Sequence, residues 1–328
     1  MRGQNEIQEW LQGLCGGFCF ISMISVPIVG SRILGIGLPS VVKKSLVTAD
    51  ILILFFMIFY TIKSNELYKK KVVILAPEKS RLELLKSYAE YDVNRKENSY
   101  SYEFQLGGKA PKILEQYNYS EYLLNVEPMT DMVVFKLLDF VCDHFGHDGN
   151  KKLSYGHRMT DIISLCEKQN GKTNCRGLIL ASLLRINGIK ARHVTCKPYE
   201  EPFTDCHVVV DCLLPSGKRI MLDPTWRVYF RDQNGEYVSL EHFRKGLIEG
   251  QNIYENQEAS YNGSHFDKKF YFEYMSKNMF RFSSNLFCAD VKDEGKLYEV
   301  ELVPKNYPVN EFHDKDRFVF NPRNFWNI

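Results

Sequence analysis

The chain has 328 residues, 45% of them hydrophobic, and 42 Lys and Arg against 40 Asp and Glu leave a formal net charge of +2. That length supports one sizeable core and a smaller unit beside it, and the near-neutral balance gives no reason to expect nucleic acid as a partner. Nine cysteines with no Cys-x-x-Cys pair read as mostly free thiols, which weakly favours a reducing compartment.

Leu11 to Gly30 is an uncharged run of 20 residues, long enough to cross a hydrocarbon core of roughly 30 Å as a helix. Leu46 to Ile62 is a second apolar run with Asp50 near its start, and Gly35, Gly37 and Pro39 break the chain between the two. Two buried core helices would be the bland alternative, but Leu52 to Tyr60 is too continuously apolar for an amphipathic helix. A cleaved signal peptide fits poorly, because Glu6 and Glu9 offset Arg2 and a second apolar run follows. The expectation is an integral membrane hairpin over residues 1–71, with spans at about 11–30 and 46–62 that contact lipid. Arg2, Lys63, Lys69, Lys70 and Lys71 outside the spans exceed Arg32, Lys43 and Lys44 between them, five against three, which slightly favours both ends of the hairpin, and the chain that follows it, on the cytoplasmic side.

Residues 72–128 form an N-terminal extension, with a helix expected at Ser80 to Tyr91 and a Tyr-rich stretch after it. Thr130 can cap a helix whose Val133, Val134, Leu137, Leu138 and Val141 share a face, ending at Gly146. A second helix covers Met159 to Gln169. A third starts at Cys175, with Thr173 or Asn174 as its cap, and stops at Asn187-Gly188. The period then changes. Ile189 to Cys196 reads as a strand, and the Pro-bearing stretch Lys197 to Asp205 as a loop. His207 to Leu214 is a strand rich in valine. Pro215 to Lys218 is a turn, and Arg219 to Leu222 returns with Asp223 at its end. These elements read as one domain over 129–250. Residues 251–328 are expected as an aromatic-rich β subdomain, with Phe270 to Tyr274 read as strand-forming.

Cys175, His207 and Asp223 are a thiol, an imidazole and a carboxylate in the order of a nucleophile, its base and the group that orients the base. A helix N-terminus favours the thiolate, and an imidazolium beside it adds a full positive charge. The oxyanion formed on attack needs donors. The backbone N–H of Cys175 is one candidate, and Gln169, Asn170 and Asn174 are near enough in sequence to be considered. Cys196, Cys206 and Cys212 bracket His207, yet their spacing matches no zinc pattern. No feature calls for a metal, nucleotide or other cofactor.

Gly171-Lys-Thr-Asn-Cys175-Arg-Gly177, Ala181 to Arg185, Gly188-Ile-Lys-Ala-Arg192-His-Val194, His207 and Asp223-Pro-Thr-Trp226 together resemble the transglutaminase-like superfamily. That group holds cross-linking transglutaminases, peptide N-glycanases and microbial cysteine hydrolases. The resemblance covers about Thr130 to Tyr229. It implies a papain-like α+β fold with the nucleophile on a helix N-terminus packed on an antiparallel sheet, a Cys175-His207-Asp223 triad, and acyl transfer through a thioester. Gln169 lies six residues before the nucleophile, the offset of the oxyanion glutamine in papain-like proteases. Val208-Val-Val210 departs from the small residue and Trp that often follow the family's His, and no Trp precedes Asp223. No calcium ligands of relatives can be matched here.

The expected activity is a membrane-anchored thiol enzyme acting on an amide or peptide carbonyl of a peptide or protein substrate, with hydrolysis favoured over cross-linking. Two alternatives stay open: an inactive binding module that keeps the fold, and a membrane protein that contacts a partner through its aromatic C-terminus.

Overall fold

Val208 to Leu213 is apolar almost without interruption, and such a run suits a strand covered on both faces. The computed structural model describes residues 78–97, 100–151, 158–199, 206–291, 298–308 and 317–328. The expected membrane spans lie outside the described residues. Among the described residues no helix is long and apolar enough to cross a membrane.

Before the sheet come α1 (Glu78–Tyr88), β1 (Glu103–Phe104), a 3-10 turn (Lys112–Tyr117), α2 (Tyr119–Tyr122), α3 (Asp131–His144), β2 (Gly146–His147), α4 (Met159–Lys168), β3 (Lys172–Thr173) and α5 (Arg176–Ile186). Then follow β4 (Ala191–Lys197), β5 (His207–Leu213), β6 (Arg219–Leu222), β7 (Phe230–Asp232), α6 (Leu240–Glu249), β8 (Ile253–Glu255), β9 (Ser260–Tyr261) and β10 (Ser264–His265). The chain closes with α7 (Lys268–Lys277), β11 (Arg281–Asn285), β12 (Phe287–Cys288), β13 (Glu299–Leu302), β14 (Phe318–Val319) and α8 (Pro322–Trp326).

The central sheet runs β14-β13-β11-β4-β5-β6, antiparallel except for the β13–β14 pair. Its side chains alternate between two cores, as a pleated strand requires. Ala191, Val210, Cys212, Ile220 and Leu222 pack with α3, α4 and α5. Val194, Cys196, Val209, Met221, Phe282 and Leu302 pack on the other face, with residues of α1, α6, α7 and α8. This is an α+β fold with helices on both faces of a mainly antiparallel sheet. Helix α5 is buried nearly all round, between α3, α4 and the sheet.

Several expectations change. Thr130 precedes α3 but does not cap it; its hydroxyl donates back to the carbonyl of Glu127 (2.9 Å). Phe270 to Tyr274 is helical. Asp267 caps that helix by accepting from Phe270 N–H (3.0 Å), and Tyr271 and Met275 bury one face at i,i+4 spacing. The C-terminal part is not a β layer laid on the core. It supplies β11, β13 and β14 to the central sheet, plus α7 and α8 to the second core. Arg192, in the stretch most suggestive of the transglutaminase-like superfamily, serves the fold. It donates twice to Asp211 Oδ2 (2.9 and 3.1 Å), fully buried between the rings of Tyr102 and Phe325.

Candidate active site

Cys175 is the N-cap residue of α5, with φ −111° and ψ 27°. Thr173 and Asn174 do not cap the helix; both serve Cys175 itself. The Cys175 N–H donates to Thr173 Oγ1 (3.1 Å), and Sγ donates to Asn174 Oδ1 (3.0 Å). Gly177 explains why α5 can lie so close to β5. A Cβ there would stand 2.8 Å from Val208 Cγ1. The helix start and the strand start are thereby pressed together, with Cys175 two residues before one contact and His207 one residue before the other. Val208 is the residue that receives the helix.

His207 and Asp223 meet directly, Nε2 to Oδ2 at 2.5 Å, and both are buried. Asp223 stands where β6 turns back, its N–H and carbonyl exchanging hydrogen bonds with Val228 (2.8 and 3.1 Å). The carboxylate also accepts from Tyr271 Oη (2.8 Å) and from the N–H of Thr225 (2.9 Å). Tyr274 sets its ring edge-on to His207, centroids 5.4 Å apart. With Nε2 held by the carboxylate, Nδ1 is the ring nitrogen left to take a proton.

Sequence reasoning expects a thiolate at the helix start. Burial instead pushes the Cys175 thiol up to about 12, with the Thr173 hydroxyl pulling the other way. The sulfur is hydrogen-bonded to a neutral carboxamide, not to an imidazolium. Burial therefore opposes the thiolate that the helix start alone would favour.

Of the expected oxyanion residues, Asn174 touches the sulfur. Gln169 closes α4 through its backbone, and among the described residues none of its hydrogen bonds reaches Cys175, His207 or Asp223. Cys196 and Cys212 are buried in different cores and Cys206 is exposed, so the three thiols do not converge. Among the described residues no group of three His, Cys, Asp or Glu could hold a metal.

Arg176, absent from the expected set, ties the site together. Its guanidinium is buried and donates to the carbonyls of Phe145, Pro224 (3.0 Å), Thr225 (3.3 Å) and Cys142 (3.4 Å), and to Asn262 Oδ1 (2.8 Å). It thus links the residue after Cys175 to the loop after Asp223. Arg227, held at φ 47°, clamps the same loop to α3 through Asp139 and Asp143, both at 2.7 Å. An arginine directly after Cys175, at the start of a mostly apolar helix, was the sequence signal for Arg176; Tyr271 and His147 carried none.

No protein-family model matches the chain, and no curated protein matches it. Among solved structures it is similar to the crystal structure of a "Putative Cysteine Protease" from Cytophaga hutchinsonii, at 15% identity and a TM-score of 0.28. The similarity covers 50% of this chain and 58% of that one, so the chain spans little more than half of that protein's length. A superposition that loose assigns no activity here.

Proposed function

We propose that the protein is a thiol enzyme of transglutaminase-like, papain-like type that transfers an acyl group from an amide or peptide carbonyl through a Cys175 thioester. The observation that carries this reading is the buried His207–Asp223 pair at 2.5 Å, on a strand whose next residue packs against the helix that Cys175 begins. His207 takes the thiol proton, Asp223 orients the ring, and water resolves the thioester; an amine in place of water would give cross-linking. The substrate is a peptide or protein. The N-terminal hairpin anchors the enzyme in a membrane, with the catalytic part on the cytoplasmic side.

A second reading is favoured by one observation: a half-buried thiol bonded to Asn174, its pKa pushed up, also fits a binding module that keeps the fold without catalysis. The pH profile of iodoacetamide alkylation, read at the Cys175 peptide in the full chain and in His207→Ala, separates the two. The enzyme reading expects Cys175 near neutral pH to react at least about ten times faster in the wild type than in the variant. Equal rates in both proteins would leave the binding module.

A further inference from the structure

We infer that His147 donates the hydrogen bond that stabilises a tetrahedral oxyanion formed at Cys175, an inference that rests on the acyl-transfer reading above. The usual first donor at such a site is the backbone N–H of the nucleophile. Here that N–H is engaged by Thr173 Oγ1 (3.1 Å). Asn174 has its Oδ1 on the thiol and keeps only its Nδ2 group for an oxyanion. A further donor is wanting, and His147 stands in the right place.

The parallel β2–β3 pair sets His147 opposite Thr173. Paired residues of a ladder project to the same side, so the imidazole neighbours the side chain that holds the Cys175 N–H. Asn262 fixes this position. Its Oδ1 accepts from His147 N–H (2.8 Å), and its Nδ2 donates to the His147 carbonyl (2.9 Å). The same Oδ1 accepts from Arg176 (2.8 Å), so one carboxamide joins His147 to the residue after the nucleophile. Tyr261 closes on the ring, centroids 5.8 Å apart. The His147 Nδ1 is buried with no hydrogen-bond partner among the described residues. A buried polar atom without a partner calls for an explanation, and a site waiting for a ligand oxygen supplies one.

Charge agrees with this role. Burial, with Arg176 and His207 nearby, pushes His147 down to about 4. The ring is neutral at physiological pH, donates one N–H, and does not compete with His207 as base.

In the acylation step the Sγ–carbon bond forms as the carbonyl π bond opens and its electron pair moves onto oxygen. The thiol proton passes to His207 Nδ1. His147 Nδ1–H donates to the new oxyanion. Collapse re-forms the carbonyl and breaks the bond to the leaving group, which takes the proton from His207.

Two reagents separate this role from a structural one. Iodoacetamide alkylates sulfur with no oxyanion, whereas p-nitrophenyl acetate acylates it through one. Both rates are read at the Cys175 peptide of the full chain in detergent, with the exposed Cys206 as internal reference. In His147→Ala we expect acylation of Cys175 to fall about 10²-fold while alkylation is unchanged. In His147→Gln, which restores an N–H donor, we expect partial recovery. Acylation unchanged in His147→Ala, or both reactions slowed alike, overturns the inference. A wild-type Cys175 that acylates no faster than Cys206 overturns the acyl-transfer reading first, and this assignment with it.

Discussion

Tyr271 donates its phenolic hydrogen bond to Asp223 across 48 residues of chain, on the same carboxylate oxygen that holds His207 (2.8 Å from Tyr271, 2.5 Å from His207). Its ring is buried among Phe230, Phe243, Phe266 and Trp226, so packing fixes where the hydroxyl lies. The C-terminal helix α7 is thereby part of the site. Tyr271→Phe keeps the ring and removes the donor. We expect a stability loss of about 1–3 kcal/mol. Acylation by p-nitrophenyl acetate should slow on the order of 10-fold, well short of the about 10⁴ lost when the orienting carboxylate itself is changed in the serine template. An acylation rate unchanged in this variant would assign Tyr271 to packing alone.

Gly177 is required by its close approach to Val208, not by its backbone angles. Gly177→Ala forces helix and strand apart and should cost about 1–3 kcal/mol. Val208→Ala opens the space the new methyl needs. Chemical denaturation of the two single variants and the double variant then gives a coupling energy, and we expect the double to be more stable than the two single losses added together predict. Simple additivity would show that the contact does not set the helix position.

Arg176 donates to four carbonyls and one carboxamide from a buried position. A lysine is shorter in reach and lacks the planar fork. Arg176→Lys leaves several buried acceptors unpaired, each worth about 1–3 kcal/mol and not additive. Thermal unfolding should therefore show a loss of at least about 3 kcal/mol. Retained stability in this variant would mean that water replaces the guanidinium, and that the nucleophile and the Asp223 loop are tied by other contacts.

Stability should fall on mild acidification. Burial holds His147 down to about 4, beside Arg176 and His207, with Asp223 and Asp148 opposing. It holds His193 down to about 4 beside Arg185 and Arg192. Both values lie below the ordinary 6.5, so the unfolded chain binds protons that the native state refuses between those limits. Unfolding free energy then rises with pH across that window and is lost as pH falls from 6.5 toward 4, by on the order of 2 kcal/mol per histidine. Melting temperatures taken from pH 7 to pH 4 check this, and His193→Gln should flatten the slope. An equally steep slope in that variant would remove His193 from the account.

Sequence patterns alone located α3, α4, α5, β4, β5 and β6 within a few residues, because each carries a local signal. The helices repeat apolar residues on one face. The valine strand reads as continuous, and Gly188 takes the left-handed turn that ends α5 at φ 80°. The order Cys175, His207, Asp223 was legible for the same reason, since each sits at an element boundary. The aromatic run at Phe270 misled, because alternating aromatics mimic a strand. The Asp267 cap and the buried Tyr271–Met275 pair decide otherwise.

What no local pattern encodes is which distant residues share a space. Tyr271 reaches Asp223 only because α7 packs under the sheet. Asn262 joins His147 to Arg176 only because the β9–β10 turn lies against β2. The protonation of Cys175 was likewise a tertiary matter. Local pattern set the elements, the order of Cys175, His207 and Asp223 along the chain, and the helix start beneath the thiol. Burial in the assembled fold, opposed by the Thr173 hydroxyl, decided that the Cys175 thiol is pushed up instead of down.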